Sequence, residues 1–214
     1  MLAFKEFFIA EDDSDLTNDW HKENDNEHLG ETSKAISKKL VSFKPIYNSD
    51  QHKAIARYIG YSNEVNNALI HKQHIGEHGA HIIEHLQEAT QHPIGHEVHV
   101  YSGLGFDPSE HINKEHNTLH LPAFTSMTHA KKVATHFANL WPDKKVNKHI
   151  LHIHLKPTDK ALHVSHLSKI PSEHETILPH GTTLKVNPEP TTYVNKNKTG
   201  THVWHAIVHH QGKI

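Results

Sequence analysis

The chain has no cysteine, a single arginine, no apolar run approaching a membrane span, and a formal charge of only -2 over 214 residues. Each absence closes off a class of function. Without cysteine there is neither a disulfide framework nor thiolate chemistry, which fits a reducing compartment. A spanning helix needs about 20 consecutive apolar residues, so no membrane partner is expected. A charge this close to neutral gives no blanket attraction to nucleic acid or anionic lipid. What the chain has in excess is histidine, 27 residues, while its basic residues other than Arg57 are all lysine. Net charge must therefore climb steeply as pH falls through the ordinary imidazole pKa of about 6.5. The length suffices to bury a core and suggests one domain plus an arm.

The N-terminal 45 residues divide in two. Met1 to Glu11 is apolar but interrupted by Lys5 and Glu6, with Leu2, Phe4, Phe8 and Ile9 able to cluster on one helical face. It is too short for a signal peptide and has no basic start. Residues 12–45 begin acidic and polar, through Asp12, Asp19, Glu23, Asp25 and Glu31. Such a segment has little to bury against its ordering entropy, and reads as a flexible arm.

From Ser49 to Gln91 apolar residues recur at helical spacing: Ile55, Tyr58 and Ile59, then Val65, Leu69 and Ile70, then Ile82, Ile83 and Leu86. Beyond Glu97, short β-like runs dominate at Val98–Tyr101, His149–Leu155, Thr176–Leu178, Thr183–Val186 and His202–Val208, separated by proline and glycine. One helix is predicted among them, His129 to Leu140, with an apolar stripe of Val133, Phe137 and Leu140, and Pro142 as its stop. Helices followed by strands argue for an α+β fold.

Three segments carry possible chemistry. Glu173-His174-Glu175 precedes a strand-like run, so in an extended backbone its two carboxylates share a face. Such a pair suits cleavage of a glycosidic bond through an oxocarbenium-like transition state: one anion stabilises positive charge and the other takes the acceptor's proton. Phe124-Thr125-Ser126-Met127-Thr128 brings hydroxyls that could bind a ligand or orient a carboxylate, although Thr128 also reads as the N-cap of the helix that follows. Tyr101-Ser102-Gly103 ends a strand in a glycine that would let backbone approach a ligand closely. Taken singly, each has an ordinary structural explanation.

In this order the three resemble the Arg-Ser-Glu class of mono-ADP-ribosyltransferases, in particular those of tailed bacteriophages and the exoenzyme family. Their Tyr-Arg-Gly, Phe-x-Ser-Thr-Ser and Glu-x-Glu motifs follow a helical first half. The early segments Ala54-Ile-Ala-Arg-Tyr58 and Asn66-Asn67-Ala-Leu69, the stretch from His129 to Ala138, and Glu175-Thr-Ile-Leu-Pro-His-Gly-Thr183 look similar as well. The resemblance implies helices packed on two β-sheets with NAD⁺ bound as a substrate in the cleft, in a domain spanning 46–214, and no metal requirement. It implies Glu175, Glu173 and Ser126 as catalytic residues. Tyr101, Ser102, Gly103, Phe124, Thr125 and Thr128 would line the NAD⁺ site. Glu175 would stabilise the oxocarbenium ion as nicotinamide leaves, Ser126 would help hold it, and Glu173 would orient and deprotonate an arginine acceptor. Host proteins such as RNA polymerase or translation proteins are the expected acceptors. Phe8-Ile9-Ala10-Glu11 is similar to the capsid-targeting leaders of T-even-type phage head proteins. This implies docking of residues 1–11 on the phage head or scaffold, cleavage after Glu11, and delivery from the virion into the bacterial cytoplasm.

Ser102 departs from that pattern, since it stands where the family usually has an arginine contacting NAD⁺ phosphate. A serine hydroxyl donates one hydrogen bond and brings no charge. Lys131, Lys132 or a nearby histidine could supply the cation; alternatively, the chain is a degenerate internal head protein that keeps the fold without the activity. A further reading comes from His71, His74, His78, His81 and His85, spaced as a helical stripe, in which His81-Ile-Ile-Glu-His85 matches the H-x-x-E-H zinc-protease pattern. With histidine so abundant and Gly76 and Gly79 inside the stripe, a weak metal-binding site explains it better than a protease.

Overall fold

The structure, a computed structural model, describes residues 33–42, 45–140, 148–168, 173–194 and 200–209. The leader at 1–11, its cleavage point after Glu11 and the start of the arm lie outside the described residues. The arm's expected extent to residue 45 is corrected, because Ser33–Ser42 forms a helix, α1. Ile36 and Leu40 stand one turn apart and are 0% and 2% exposed, packed into the main core beside Val98, Val100 and Leu155. Lys34, Lys38 and Lys39 on the outer side hide this two-residue apolar face in the sequence.

Asn48 sets the start of the next helix. Its side chain accepts from the Asp50 and Gln51 backbone N–H groups at 3.0 and 2.8 Å, and the Gln51 side chain accepts from the Asn48 N–H at 3.0 Å. This reciprocal cap satisfies donors that a helix start otherwise leaves unpaired. The helix, α2 (Ser49–His71), is kinked at Tyr61 and ends at Lys72, whose φ of 52° is left-handed. After a short connection, α3 (Gly76–Thr90) packs back against it. The expected histidine stripe is therefore broken: His71 ends α2, His74 lies in the connection, and His78, His81 and His85 lie on α3.

The strands among the described residues are β1 (Val98–Leu104), β2 (Ile112–Asn113), β3 (Thr118–Leu121), β4 (Thr125–Thr128), β5 (Lys148–Leu155), β6 (Leu162–His163), β7 (Glu175–Leu178), β8 (Thr182–Val186), β9 (Thr191–Val194) and β10 (Gly200–Val208), with helix α4 (Lys131–Asn139) between β4 and β5. They run in the order β2-β3-β8-β10-β5-β1-β4-β7-β6, and β9 pairs with β10. The pairs are antiparallel except β5 with β10. Between β1 and β4 the register is one residue pair, Tyr101 opposite Thr128. That single rung divides the strands into two blocks, β2-β3-β8-β10-β5-β1 and β4-β7-β6. The α+β arrangement expected from the sequence, helices on two sheets, takes this form.

The helices cover the blocks through separate apolar clusters. Ile55, Tyr58, Val65, Ile82 and Leu86 of α2 and α3 meet Phe124, Leu162, Val164 and Ile177. Ala134 and Ala138 of α4 meet Tyr101, Ile150 and Val203. The stripe predicted for α4 is thus corrected. Ala134 and Ala138 are 0% and 6% exposed and face the sheet, whereas Val133, Phe137 and Leu140 are only half-buried. Gly103 is the reason, because a Cβ there would stand 2.4 Å from both the Ala134 oxygen and the Ala138 nitrogen. The helix lies so close to β1 that only small residues fit between. No helix among the described residues is long and apolar enough to cross a membrane.

Candidate active site

Three strands bring the sequence motifs together at the join between the blocks. Tyr101 of β1 is opposite Thr128 of β4, and Thr128 is opposite Glu175 of β7. Directly opposed residues project from the same side of a sheet, so their side chains form a row across the join. Ser126, two residues back along β4, shares that side. Glu175 is only 3% exposed, so its charge is felt by neighbours with little water between.

Ser126 is held from behind by α2. Its hydroxyl lies 3.3 Å from the Tyr58 hydroxyl, which donates to the Phe124 carbonyl at 3.1 Å; Asn66 donates to the same carbonyl at 3.0 Å and to the phenol oxygen at 3.3 Å. The phenol has one proton. With that proton on Phe124, the Tyr58 oxygen is left to accept from the Ser126 hydroxyl. Burial pushes the Tyr58 phenol far above its ordinary pKa, and the Glu175 charge adds to this against the lowering effect of Ser126 and Asn66. It therefore stays a neutral donor. Neither Tyr58 nor Asn66 was singled out as a site residue from the sequence. The available signal was Asn66, a carboxamide between Val65 and Leu69 on an apolar face, buried at 4% exposure.

Ser102 donates to the Ser126 carbonyl at 3.2 Å, so its hydroxyl ties β1 to β4. Thr128 is not the cap expected for α4. It lies within β4, donates to the Glu173 carbonyl at 2.5 Å and accepts from the Ala130 N–H at 3.0 Å, while Ala130 occupies the cap position without a side-chain bond. The expectation that Glu173 and Glu175 share a strand face is also corrected. His174 has a left-handed φ of 51° and β7 begins only at Glu175, so alternation does not extend back to Glu173. The His174 ring is bonded to the Ser37 hydroxyl of α1 at 2.7 Å, which helps offset the cost of that backbone conformation.

The remaining motif residues divide between packing and site. The close approach permitted by Gly103 is used by helix α4. Phe124 is 2% exposed and meets Tyr58 and His180 edge to face, which makes its ring part of the core. Thr125 donates to the Ala123 carbonyl at 3.4 Å. Lys131 is 8% exposed with its ammonium 5.9 Å from the Tyr101 ring centre, whereas Lys132 is exposed. Of the two lysines considered for the missing charge, Lys131 is the one beside the row.

A polar cluster not anticipated from the sequence lies next to Glu175 in β7. The Thr176 hydroxyl is 3.0 Å from His129 Nε2 and 3.1 Å from His163 Nδ1, and the two rings approach to 3.3 Å. Burial, then its neighbours His166 and His174, pull the His163 pKa down to about 3. Burial and the same type of neighbour hold His129 well below the ordinary range. Both are neutral imidazoles at pH 7, bracing the strand that presents Glu175.

Tyr101, Thr128 and Glu175 thus stand in register across the join of two sheet blocks, with Ser126 on the same side. The chain belongs to the ADP-ribosyltransferase exoenzyme family, whose model matches residues 17–206. Family and fold together indicate an NAD-dependent mono-ADP-ribosyltransferase. Among solved structures it is similar to Vis toxin, an ADP-ribosyltransferase from Vibrio splendidus, with TM-score 0.65 and 14% identity over 88% of each chain. Plx2a, an ADP-ribosyltransferase toxin from Paenibacillus larvae, has TM-score 0.63 and 18% identity over 87% of this chain and 98% of that one. C3stau2 from S. aureus, solved with NAD, has TM-score 0.60 and 17% identity over 84% and 95%. No curated protein sequence matches the chain in a direct comparison.

Proposed function

We propose that the chain transfers ADP-ribose from NAD⁺ to arginine side chains of bacterial host proteins. The bond between the nicotinamide nitrogen and ribose C1′ breaks, its electron pair leaving with nicotinamide. Glu175 stabilises the oxocarbenium ion. A guanidine nitrogen of the acceptor then bonds to C1′ and gives its proton to Glu173. The observation carrying this reading is the row of Tyr101, Thr128 and Glu175, with Ser126 on the same side and hydrogen-bonded to Tyr58. Arginine as acceptor rests on the family pattern of a glutamate two residues before the catalytic one. Lys131 takes over the charge that Ser102 does not supply.

The test is transfer of labelled ADP-ribose from NAD⁺ to bacterial lysate proteins by the native chain and by Glu175→Ala. Labelling of arginine that disappears in the variant supports the proposal; labelling at another residue type overturns the acceptor. A second reading is a degenerate internal head protein, favoured by the use of the Ser102 hydroxyl within the fold. Absence of both labelling and NAD⁺ hydrolysis by the native chain would favour it. The phage assignment rests on the resemblance of the motifs to tailed-phage transferases and on the leader-like residues 1–11. It predicts that protein recovered from virions starts at Asp12, and a virion protein starting at Met1 would remove that part of the proposal.

A further inference from the structure

The H-x-x-E-H pattern on α3 has no part in the transferase reading, and the fold gives it a partner that the sequence does not reveal. His81 and His85 stand one turn apart on α3, their ring centres 4.1 Å apart and edge to face. The first turn of α2 brings Asp50 against them: one ligand atom from each of Asp50, His81 and His85 lies within 4.8 Å of the other two. Glu84, the general base that a zinc protease would require, is not in the group. We propose that Asp50, His81 and His85 form a divalent transition-metal site of the zinc class that clamps α2 to α3.

The ligand set has the right chemistry. Two imidazoles and a carboxylate suit Zn²⁺, with water completing a tetrahedron. Bonds of about 2.0–2.1 Å require ligand atoms roughly 3.3 Å apart. Small rotations of Asp50 and the exposed His81 supply the closure from 4.8 Å. The support around the ligands is also in place. Glu88 accepts from His85 Nδ1 at 3.0 Å, which leaves Nε2 as the lone-pair nitrogen, the carboxylate–histidine arrangement that orients metal ligands. Gln51 in turn reaches Glu88 at 3.5 Å, and the reciprocal Asn48–Gln51 cap fixes the turn that carries Asp50. The competing cation is Lys53, 3.0 Å from Asp50 with a side chain 77% exposed. A pair so exposed is weak, and a divalent ion displaces it.

A clamp here acts on the helix pair that carries Tyr58 and Asn66, so its signature is stability, independent of the transferase reading. Because histidine is abundant throughout the chain, the experiment needs a matched control. Zinc is titrated onto the full chain, with calorimetry and thermal unfolding as readouts. The native protein is compared with His81→Asn/His85→Asn and with His71→Asn/His74→Asn, which removes two histidines of the same sequence stripe away from the site. We expect one saturable site and a rise in Tm of roughly 5–10 °C at zinc a hundredfold above its Kd. The first pair should weaken binding at least tenfold, and the control should stay within twofold. Asp50→Asn should also weaken it, and this single variant decides the matter if the His81/His85 pair does not fold. A Tm rise that survives in both His81→Asn/His85→Asn and Asp50→Asn, or that is lost equally in the control, overturns the proposal in favour of diffuse binding by surface histidines.

Discussion

The proposal that Lys131 supplies the cation absent at Ser102 can be tested residue by residue. Lys131 is buried beside Tyr101 and Lys132, its neighbour, points outward, so the two are a natural contrast. Lys131→Ala is expected to raise the KM for NAD⁺ about tenfold, the equivalent of one modest charge-assisted contact, while Lys132→Ala leaves it unchanged. Equal effects, or none, in steady-state kinetics would show that the charge comes from elsewhere. At this scale the sequence was only partly legible. The motif segments could be picked out because their residue types and order carry information, and the fold brings Tyr101, Thr128 and Glu175 into register. Tyr58, Asn66, His129 and His163 were not, because what matters is where a buried hydroxyl or imidazole finds its partner across 66, 58 or 34 residues of chain. His174 shows the opposite limit: a left-handed φ in a histidine leaves no trace in composition, and it removed the shared strand face expected for Glu173 and Glu175.

At the level of elements, the least forgiving contact is that of α4 with β1. A methyl group at Gly103 would come within 2.4 Å of helix backbone at two atoms, and backbone cannot turn aside as a side chain can. Gly103→Ala should therefore cost about 1–3 kcal/mol or more, seen as a lower urea midpoint, and should reduce transferase activity by displacing Tyr101 from its packing on Ala134 and Ala138. An unchanged midpoint would mean that α4 shifts freely. Helices α2, α3 and α4 and strands β1, β5, β7, β8 and β10 could be placed from periodicity. The exceptions have physical causes: α1 offers just two buried residues among lysines, and β2, β3, β4, β6 and β9 are only two to four residues long, too short to show a clear alternation. For α4 the face was missed, because it packs through alanines that a search for large apolar residues passes over. The stretch from Ser49 to Gln91, read as several helices, forms α2 and α3.

For the molecule as a whole, the buried histidines set the response to pH. His129 and His163 are held neutral in the fold, with His163 at about 3, while in the unfolded chain both protonate near 6.5. Between those values the unfolded state binds more protons, so stability is full above about pH 6.5 and falls as pH drops toward 3. For His163 alone the ceiling on that loss is about 4–5 kcal/mol, at 1.36 kcal/mol per unit. Urea unfolding at pH 7.5, 6 and 5 should show the decline, and His163→Leu should reduce its slope; a flat profile would mean that the pair is solvated. The single backbone rung between β1 and β4 reaches further. The other strand pairs are held by two to seven residue pairs, but across this crease one pair does so. The spacing between Tyr101 and Glu175 is consequently governed by side-chain packing on either side. The geometry proposed for catalysis is thus a property of the core, open to change by substitutions that never touch a bound ligand.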